Sequence, residues 1–235
     1  MTDQRAAPEV ERRTFASEVT FRAAPEGADS AGILTGRAIA FNSSSRTLYD
    51  WWYGEFTEQI DPRALGEPTA EGGVDLATHT RVIARTNHNS DYLLGVTDAG
   101  TLRLFLGDEG VDYEIDLPNT TYGRDLAVSA RRGDYRYSSF AFRVLPDGEE
   151  WSYGENDQLV RRITGLRLID VAPVADPAYW GSSAEMLRSF DLSAIRARLD
   201  AERAGGEPPA PAPTETQPDQ RTLLLSRARE IELTL

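Results

Sequence analysis

The chain lacks cysteine and lysine altogether, and its 235 residues include only two histidines, His79 and His88. Without cysteine there is no disulfide, no thiol nucleophile and no thiolate metal site. Without lysine there is no Schiff-base chemistry and no Ser-Lys catalytic pair. Two histidines are too few for a metal site with three histidine ligands. These absences leave hydroxyl, imidazole, carboxylate and guanidinium groups as the side chains that can carry chemistry.

The charge balance and the hydropathy pattern exclude further classes of protein. All 25 basic residues are arginine, and the net charge is -13. An acidic protein is a poor ligand for naked nucleic acid, which requires a basic face. No apolar run reaches the ~18 residues of a transmembrane helix, and the polar N-terminus lacks the apolar core of a secretory signal. The sequence therefore predicts a cytoplasmic protein with no membrane and no nucleic-acid partner.

Short alternating segments separated by Gly, Pro and Asp turns predict an α+β, mostly β, fold. This β-rich domain is expected over residues 15–182, after a charged and flexible segment at 1–14. An amphipathic helix is predicted at 183–204, and the Pro-rich stretch 205–220 is typical of an extended linker. The last segment, 221–235, regains helix-forming composition and is a candidate docking or scaffold segment.

A helix of about three turns is predicted inside the β-rich domain, from Thr120 to Ala130. Leu126 and Ala130 are expected to face the core of the domain. A second helix start is indicated by Asp61, an N-cap residue, followed by Pro62 at the first helical position.

Residues 137–142 (YSSFAF) alternate as a strand does, so Ser138 and Ser139 are expected on opposite faces. A serine hydroxyl becomes a nucleophile when a base such as histidine accepts its proton. His88 follows a short strand in a polar turn, where a general base can be held in place. From the local sequence alone, Ser139 is either a nucleophile or a small residue in a tight β layer. His88 is likewise either a base or an exposed loop residue.

Asp170 lies in an apolar strand between Ile169 and Val171. A buried carboxylate there requires a hydrogen-bonding partner, for which an imidazole N–H is suitable. The alternative interpretation is a solvated acid at the end of a strand. Asp176 is a weaker candidate because it precedes Pro177 in a turn.

Two further groups of charged residues have both a functional and a structural interpretation. Arg161 and Arg162 could stabilise an oxyanion, or they could lie on a solvated strand face. A set of acids lacks the glycine and the spacing of a calcium loop, so no metal site is predicted. The same acids leave open a carboxylate-based hydrolase whose activity would not depend on Ser139. They are Asp108, Glu109, Asp112, Glu114 and Asp116.

Seven segments, in this order, resemble the tailed-bacteriophage prohead protease family, serine proteases related to herpesvirus assemblin. The segments are 36–42 (GRAIAFN), 56–65 (FTEQIDPRAL), 87–89 (NHN) with 94–95 (LG) close behind, 117–120 (LPNT), 139–142 (SFAF), 168–174 (LIDVAPV) and 177–179 (PAY). Each is short, and their joint order carries the resemblance, which covers roughly residues 15–182. Ala141 stands where the family has glycine, and Ala172 stands where serine is common. Neither departure removes a proposed catalytic group.

The resemblance implies a compact, closed or nearly closed β-barrel flanked by helices, with a flexible C-terminal tail. It favours Ser139 over Ser138 as the nucleophile, because the family's nucleophile immediately precedes Phe. It further implies that His88 is the general base and that Asp170 is the third member, with no cofactor and no metal. Arg162 is a candidate oxyanion donor beside backbone N–H groups. A functional triad would place the His88 imidazole about 3 Å from the Ser139 hydroxyl.

The function that this resemblance implies is serine endopeptidase activity during viral procapsid maturation. The expected substrates are segments of the major capsid protein and of the scaffold, and the chain itself at its Pro-rich linker. The expected place of action is the assembling prohead in the host cytoplasm, and self-association as a dimer is a candidate requirement for activity. The alternative is a non-catalytic assembly or scaffolding module with the same fold.

Overall fold

The computed structural model of the chain describes residues 10–16, 19–45, 47–50, 54–66, 81–175 and 192–205. His79, Asp176, the predicted linker beyond residue 205 and the segment 221–235 lie outside the described residues. The strands are β1 (Glu11–Ala16), β2 (Thr20–Arg22), β3 (Gly32–Ala40), β4 (Leu48–Asp50), β5 (Gly54–Ile60), β6 (Ile83–Arg85), β7 (Leu93–Val96), β8 (Leu102–Gly107), β9 (Gly110–Leu117), β10 (Tyr137–Val144), β11 (Glu149–Tyr153), β12 (Leu159–Ile163) and β13 (Leu166–Val174). The α-helices are α1 (Thr121–Arg131) and α2 (Leu192–Arg203).

The described strands form three sheets. A five-stranded sheet has the order β1-β10-β13-β6-β7, and the two four-stranded sheets have the orders β2-β3-β9-β8 and β11-β12-β5-β4. The pairs β13–β6 and β12–β5 are parallel, and the other pairs are antiparallel. The prediction of a mostly β, α+β fold is confirmed. Among the described residues none of the three sheets closes on itself, so strand pairing does not show a closed barrel.

One hydrophobic cluster is shared by the three sheets and α1. It contains Phe140 from the five-stranded sheet and Ile163 and Leu34 from the other two. The helix begins after Thr120, whose side chain accepts a hydrogen bond from the backbone of Gly123 at 3.2 Å, as an N-cap does. Its apolar side buries Leu126, Ala127 and Ala130. The helix predicted here is therefore confirmed, together with its inward face.

Asp61 caps a short turn, and the described chain shows no helix there. The Asp61 carboxylate accepts a hydrogen bond from the backbone N–H of Arg63 at 2.8 Å, and residues 62–65 form turns. The capping interaction predicted for Asp61 is thus present, but the described residues after Pro62 do not continue as a helix.

Strand β1 corrects the prediction of a flexible segment at residues 1–14, which is wrong for residues 11–14. Glu11–Ala16 form an antiparallel ladder with β10, from Glu11 opposite Phe142 to Ala16 opposite Tyr137. The charged composition of this segment is typical of a solvated tail. The charges of Glu11 and Arg13 are instead paired inside the protein, and their partners include residues that are distant in the sequence.

A buried charge cluster consists of Glu11, Arg13, Glu58, Glu149 and Arg161. The Arg161 side chain is fully buried and donates hydrogen bonds to Glu11, Glu58 and Glu149 at 2.5–3.0 Å. Arg13 donates to Glu11 and Glu58 at 2.7–2.8 Å. Burial alone would lower the pKa of Arg161, but the three carboxylates outweigh it and raise that pKa above its ordinary value. Arg161 therefore stays charged, and the cluster joins β1 to β5, β11 and β12.

A close approach of β3 to β10 requires the glycine at position 36. The Tyr113 and Ser138 hydroxyls are hydrogen-bonded at 2.9 Å in the core, and burial raises the pKa of Tyr113. A side chain at Gly36 would place its Cβ 2.6 Å from the Tyr113 hydroxyl and 2.9 Å from that of Ser138. Glycine thus allows a third strand to pack on this hydroxyl pair.

The chain divides into two compact units, Met1–Leu192 and Ser193–Leu235. Within the predicted helix 183–204, the described part is the 12-residue helix α2. The domain boundaries proposed from the sequence stay predictions. Of the helices in the described ranges, none has the length and apolar character needed to cross a membrane.

Candidate active site

Strand register places Ser139, Asp170 and Arg85 on one face of the five-stranded sheet. Ala141 of β10 lies opposite Asp170 of β13, and Asp170 pairs with Ile83 of the parallel strand β6. Paired residues share a face, and so do residues two apart in a strand. Ser139 is two residues from Ala141, and Arg85 is two residues from Ile83. Three neighbouring strands therefore contribute one polar group each to the same face.

His88 reaches this face from the turn that follows β6. Asn87 and His88 both have a left-handed backbone, with φ of 51° and 56°. Asn and His adopt this conformation more readily than most residues do. The Asn87 side chain accepts a hydrogen bond from the backbone N–H of Ala175, just after β13, at 3.3 Å. The turn after β6 is thus joined to the end of the strand that carries Asp170.

Continuous hydrogen bonds connect Ser139, His88 and Asp170. The His88 Nε2 atom lies 2.6 Å from the Ser139 Oγ, and Nδ1 lies 2.5 Å from the Asp170 Oδ1. With the proton on Nδ1, the imidazole donates to the carboxylate, and Nε2 is free to accept the serine proton. The 2.6 Å distance between Nε2 and the Ser139 Oγ is within the range required for proton transfer. The structure therefore brings together the serine, histidine and aspartate that the sequence singled out.

The second oxygen of Asp170 is bonded to Arg85. The Arg85 guanidinium donates to Asp170 Oδ2 at 3.2 Å, while Oδ1 faces His88. Asp170 is only 2% exposed, so its carboxylate depends on such partners to remain buried. Each carboxylate oxygen has a different partner, and this arrangement fixes the orientation of the carboxylate toward the imidazole.

Strand β1 contributes two further groups to the serine. The Thr14 hydroxyl donates to Ser139 Oγ at 3.0 Å, and Ser139 Oγ also lies 3.0 Å from the backbone carbonyl oxygen of Arg13. Thr14 is directly opposite Ser139 in the β1–β10 ladder. The serine hydroxyl therefore has contacts from both sides, with the imidazole on one and with β1 on the other.

Ser138 and Arg162 lie apart from this group. Ser138 points into the core, where it is bonded to Tyr113, as alternation with Ser139 predicts. The Arg162 guanidinium donates to Asp61 at 2.6 and 2.9 Å and to Asn42 at 3.3 Å. Burial would raise the pKa of Asp61, but the Arg63 N–H and Arg162 outweigh it and lower that pKa. In the structure, Arg162 is thus the partner of a buried carboxylate in another sheet.

Four of the five acids considered for a metal site are paired with arginines on neighbouring strands. Arg103 bonds both Glu114 and Asp116 at 2.6–3.0 Å, and Arg37 bonds Asp112 and Glu109 at 2.8–3.0 Å. Within the described ranges, no group of three or more histidine or acidic side chains is arranged to hold a metal ion. The carboxylates of β9 thus form ion pairs with arginines of the neighbouring strands β3 and β8.

Sequence reasoning missed Arg85 and Thr14. Arg85 occurs in the strand just before the His88 turn. Its spacing of two from Ile83 places it on the same face as Asp170, but this follows only once the β6–β13 register is known. Thr14 belongs to a segment predicted to be flexible, and no local signal indicates its position opposite Ser139. Both contacts arise from strand pairing between distant segments.

A model of the caudovirus prohead serine protease family matches residues 17–196 of the chain, well over half of its length. The matched region contains β2 through β13 and with them Ser139, His88, Asp170 and Arg85. No curated protein and no solved structure matches the chain.

Proposed function

Because the chain belongs to the caudovirus prohead serine protease family, we propose that it is a serine endopeptidase acting through Ser139, His88 and Asp170. The observation that carries this assignment is the continuous contact from the Ser139 hydroxyl through His88 to Asp170, at 2.6 and 2.5 Å. The same relation of nucleophile, base and orienting carboxylate occurs in serine proteases on unrelated folds. The order of His88, Ser139 and Asp170 along the chain is therefore compatible with the assignment.

In the proposed reaction, His88 Nε2 accepts the proton as Ser139 Oγ attacks the carbonyl carbon of a peptide bond. The tetrahedral intermediate collapses, the C–N bond breaks, and His88 gives its proton to the leaving amine. Water then attacks the acyl-enzyme with His88 again as base, which releases the carboxylic acid and restores Ser139. Asp170 holds the Nδ1–H tautomer and stabilises the imidazolium that forms in each half-reaction. No cofactor or metal is required by these steps.

The oxyanion in this mechanism needs fixed donors, for which we propose backbone N–H groups. Arg162 stays a proposed additional donor, as suggested by the sequence. To act in this way, its guanidinium would have to exchange its bonds to Asp61 for a bond to the substrate.

The proposed substrates are segments of the major capsid protein or of the scaffold, inside the assembling prohead of the host cell. Self-cleavage in the Pro-rich segment 205–220 and docking of 221–235 to the capsid are part of the same proposal, as is activity in a dimer. The barrel implied by the family resemblance also stays a proposal, supported by the hydrophobic cluster that the three described sheets share.

A fluorophosphonate probe, followed by mass mapping of the labelled residue, tests the assignment. We expect one phosphonylated residue, Ser139, because His88 can remove its proton. Ser139→Ala is expected to abolish labelling. The matched control is Ser138→Ala, which removes the neighbouring hydroxyl on the opposite face and should leave labelling intact. A non-catalytic assembly module would show no labelling in the wild type or in Ser138→Ala. A carboxylate-based hydrolase would show hydrolysis that survives Ser139→Ala.

Arg85 is expected to act as a positioning residue for Asp170. In Arg85→Met the buried Oδ2 atom loses its charged donor. An unsatisfied buried acceptor costs about 1–3 kcal/mol, so the labelling rate should fall roughly 5- to 150-fold. Arg85→Lys retains one charged donor and should recover most of this loss. Equal rates for Arg85→Met and the wild type would contradict the positioning role.

A further inference from the structure

Strand β1 covers the proposed nucleophile. It is the edge strand of the five-stranded sheet and contacts β10 along six residue pairs, with Thr14 opposite Ser139. Ser139 is only 1% exposed, although it belongs to the strand next to the sheet edge. A protease nucleophile has to contact the carbonyl carbon of its substrate. The observed burial is therefore incompatible with substrate attack while β1 remains in this position.

The hydrogen bonds of β1 also compete with the proposed catalysis. The Ser139 hydroxyl has a single hydrogen, and two acceptors lie within reach: His88 Nε2 at 2.6 Å and the Arg13 carbonyl oxygen at 3.0 Å. When the hydrogen is directed at Arg13, it is not available to the imidazole. The Thr14 hydroxyl in turn donates to a lone pair of Ser139 Oγ, which reduces its nucleophilicity. Strand β1 thus competes with His88 for the hydroxyl hydrogen of the serine and occupies one of its acceptor positions.

Strand β1 is attached through its opposite face. Glu11 and Arg13, two residues apart, enter the buried charge cluster with Glu58 and Arg161. Thr14, the next residue, points to the side of Ser139. The cluster anchors Arg13 directly beside the nucleophile, so its ion pairs help to hold the carbonyl of Arg13 in place.

We propose that β1 is an autoinhibitory strand, and that Ser139 becomes accessible to a peptide substrate when β1 separates from β10. This inference rests on the proposed function, since it requires Ser139 to be the nucleophile. The occupant is a segment of the same chain. Activation is then a local strand separation, of the kind that edge strands undergo more easily than central ones. The Arg13 carbonyl oxygen accepts a hydrogen bond from Ser139, and the carbonyl carbon is not attacked. In this proposal β1 therefore inhibits the site without being cleaved.

A reversible disulfide between β1 and β10 tests this inference. Ala16 and Tyr137 are opposite each other at the end of the ladder, and the chain has no other cysteine to interfere. Directly opposed residues in an antiparallel pair have a Cα spacing of about 4.5–5.5 Å, which a disulfide can bridge. In Ala16→Cys/Tyr137→Cys, oxidation should lower the rate of fluorophosphonate labelling at Ser139 by about tenfold or more, because the accessible state is depopulated. Reduction should restore the rate.

The matched control carries a disulfide in a ladder of another sheet, which does not contain Ser139 or Asp170. Arg103 is opposite Glu114 in the β8–β9 pair, and Arg103→Cys/Glu114→Cys should label equally fast when oxidised and when reduced. If Ser139 labels equally fast in both redox forms of the test pair, the autoinhibitory role is refuted while the proposed function stands. If Ser139 is not labelled in any form, the proposed function itself fails. Failure of the pair to oxidise, or cleavage between Arg13 and Thr14, would also refute the inhibitory role.

Discussion

Asp170→Asn is expected to lower the rate of fluorophosphonate labelling at Ser139 by about 10⁴-fold, the effect that loss of the orienting carboxylate has in serine proteases. The amide retains the shape of the carboxylate but has one donor and one acceptor end. Arg85 donates to the position of Oδ2 and thereby selects the amide oxygen there. The amide nitrogen then faces His88 Nδ1 and donates to it, which leaves the imidazole proton on Nε2. In that tautomer the Nε2 atom, which faces Ser139, has no lone pair to accept the serine proton.

The role of Arg85 in this effect can be separated by a double variant. In Asp170→Asn/Arg85→Met the amide is free to turn its oxygen toward Nδ1, so part of the lost rate should return. Asp112→Asn, which alters an exposed acid paired with Arg37, is the control and should label at the wild-type rate. Wild-type labelling by Asp170→Asn would exclude Asp170 as the third member of the triad. A further loss in the double variant would show that Arg85 does not set the orientation of the amide.

Arg161→Met is expected to lower the free energy of unfolding by about 3–5 kcal/mol, the usual effect of removing one partner from a buried ion pair. The substitution retains much of the side-chain volume but leaves Glu11, Glu58 and Glu149 with fewer cationic partners. Glu11 and Glu58 are nearly inaccessible to water, with side chains that are 2% exposed. Their carboxylates therefore cannot recover the lost interaction by hydration. Urea unfolding followed by tryptophan fluorescence provides the measurement.

The control for Arg161 is Arg103, an arginine that bonds two carboxylates, Glu114 and Asp116, in contact with solvent. The Arg103 side chain is 36% exposed, and the side chain of its partner Asp116 is 35% exposed. Arg103→Met should lower the free energy of unfolding by about 1 kcal/mol or less, since exposed ion pairs contribute little. Equal losses for the two variants would show that burial does not determine the strength of these interactions.

The alternation in residues 137–142 predicted the opposite faces of Ser138 and Ser139, and the structure has Ser138 against Tyr113 and Ser139 beside His88. The helix over Thr121–Arg131 followed from a periodic apolar face. Such features depend on residues close in the sequence, and local steric and hydrogen-bonding rules govern them.

The segment at residues 11–14 was predicted wrongly because its environment is supplied by remote residues. Glu11 and Arg13 are charged, and a local interpretation places them in water. Their partners Glu58 and Arg161 follow 45 to 150 residues later. In the same way, Arg85 could not be connected with Asp170 before the register of β6 and β13 was known.

The sequence by itself determined the chemical types available to this protein. Without cysteine or lysine and with two histidines, a serine, an imidazole and a carboxylate were the groups left to form a hydrolytic site, and the order of short motifs indicated which ones. The tertiary structure decided their distances, the partner of each Asp170 oxygen and the cover that β1 forms over Ser139. These properties depend on strand register, which is set by packing between segments far apart in the chain.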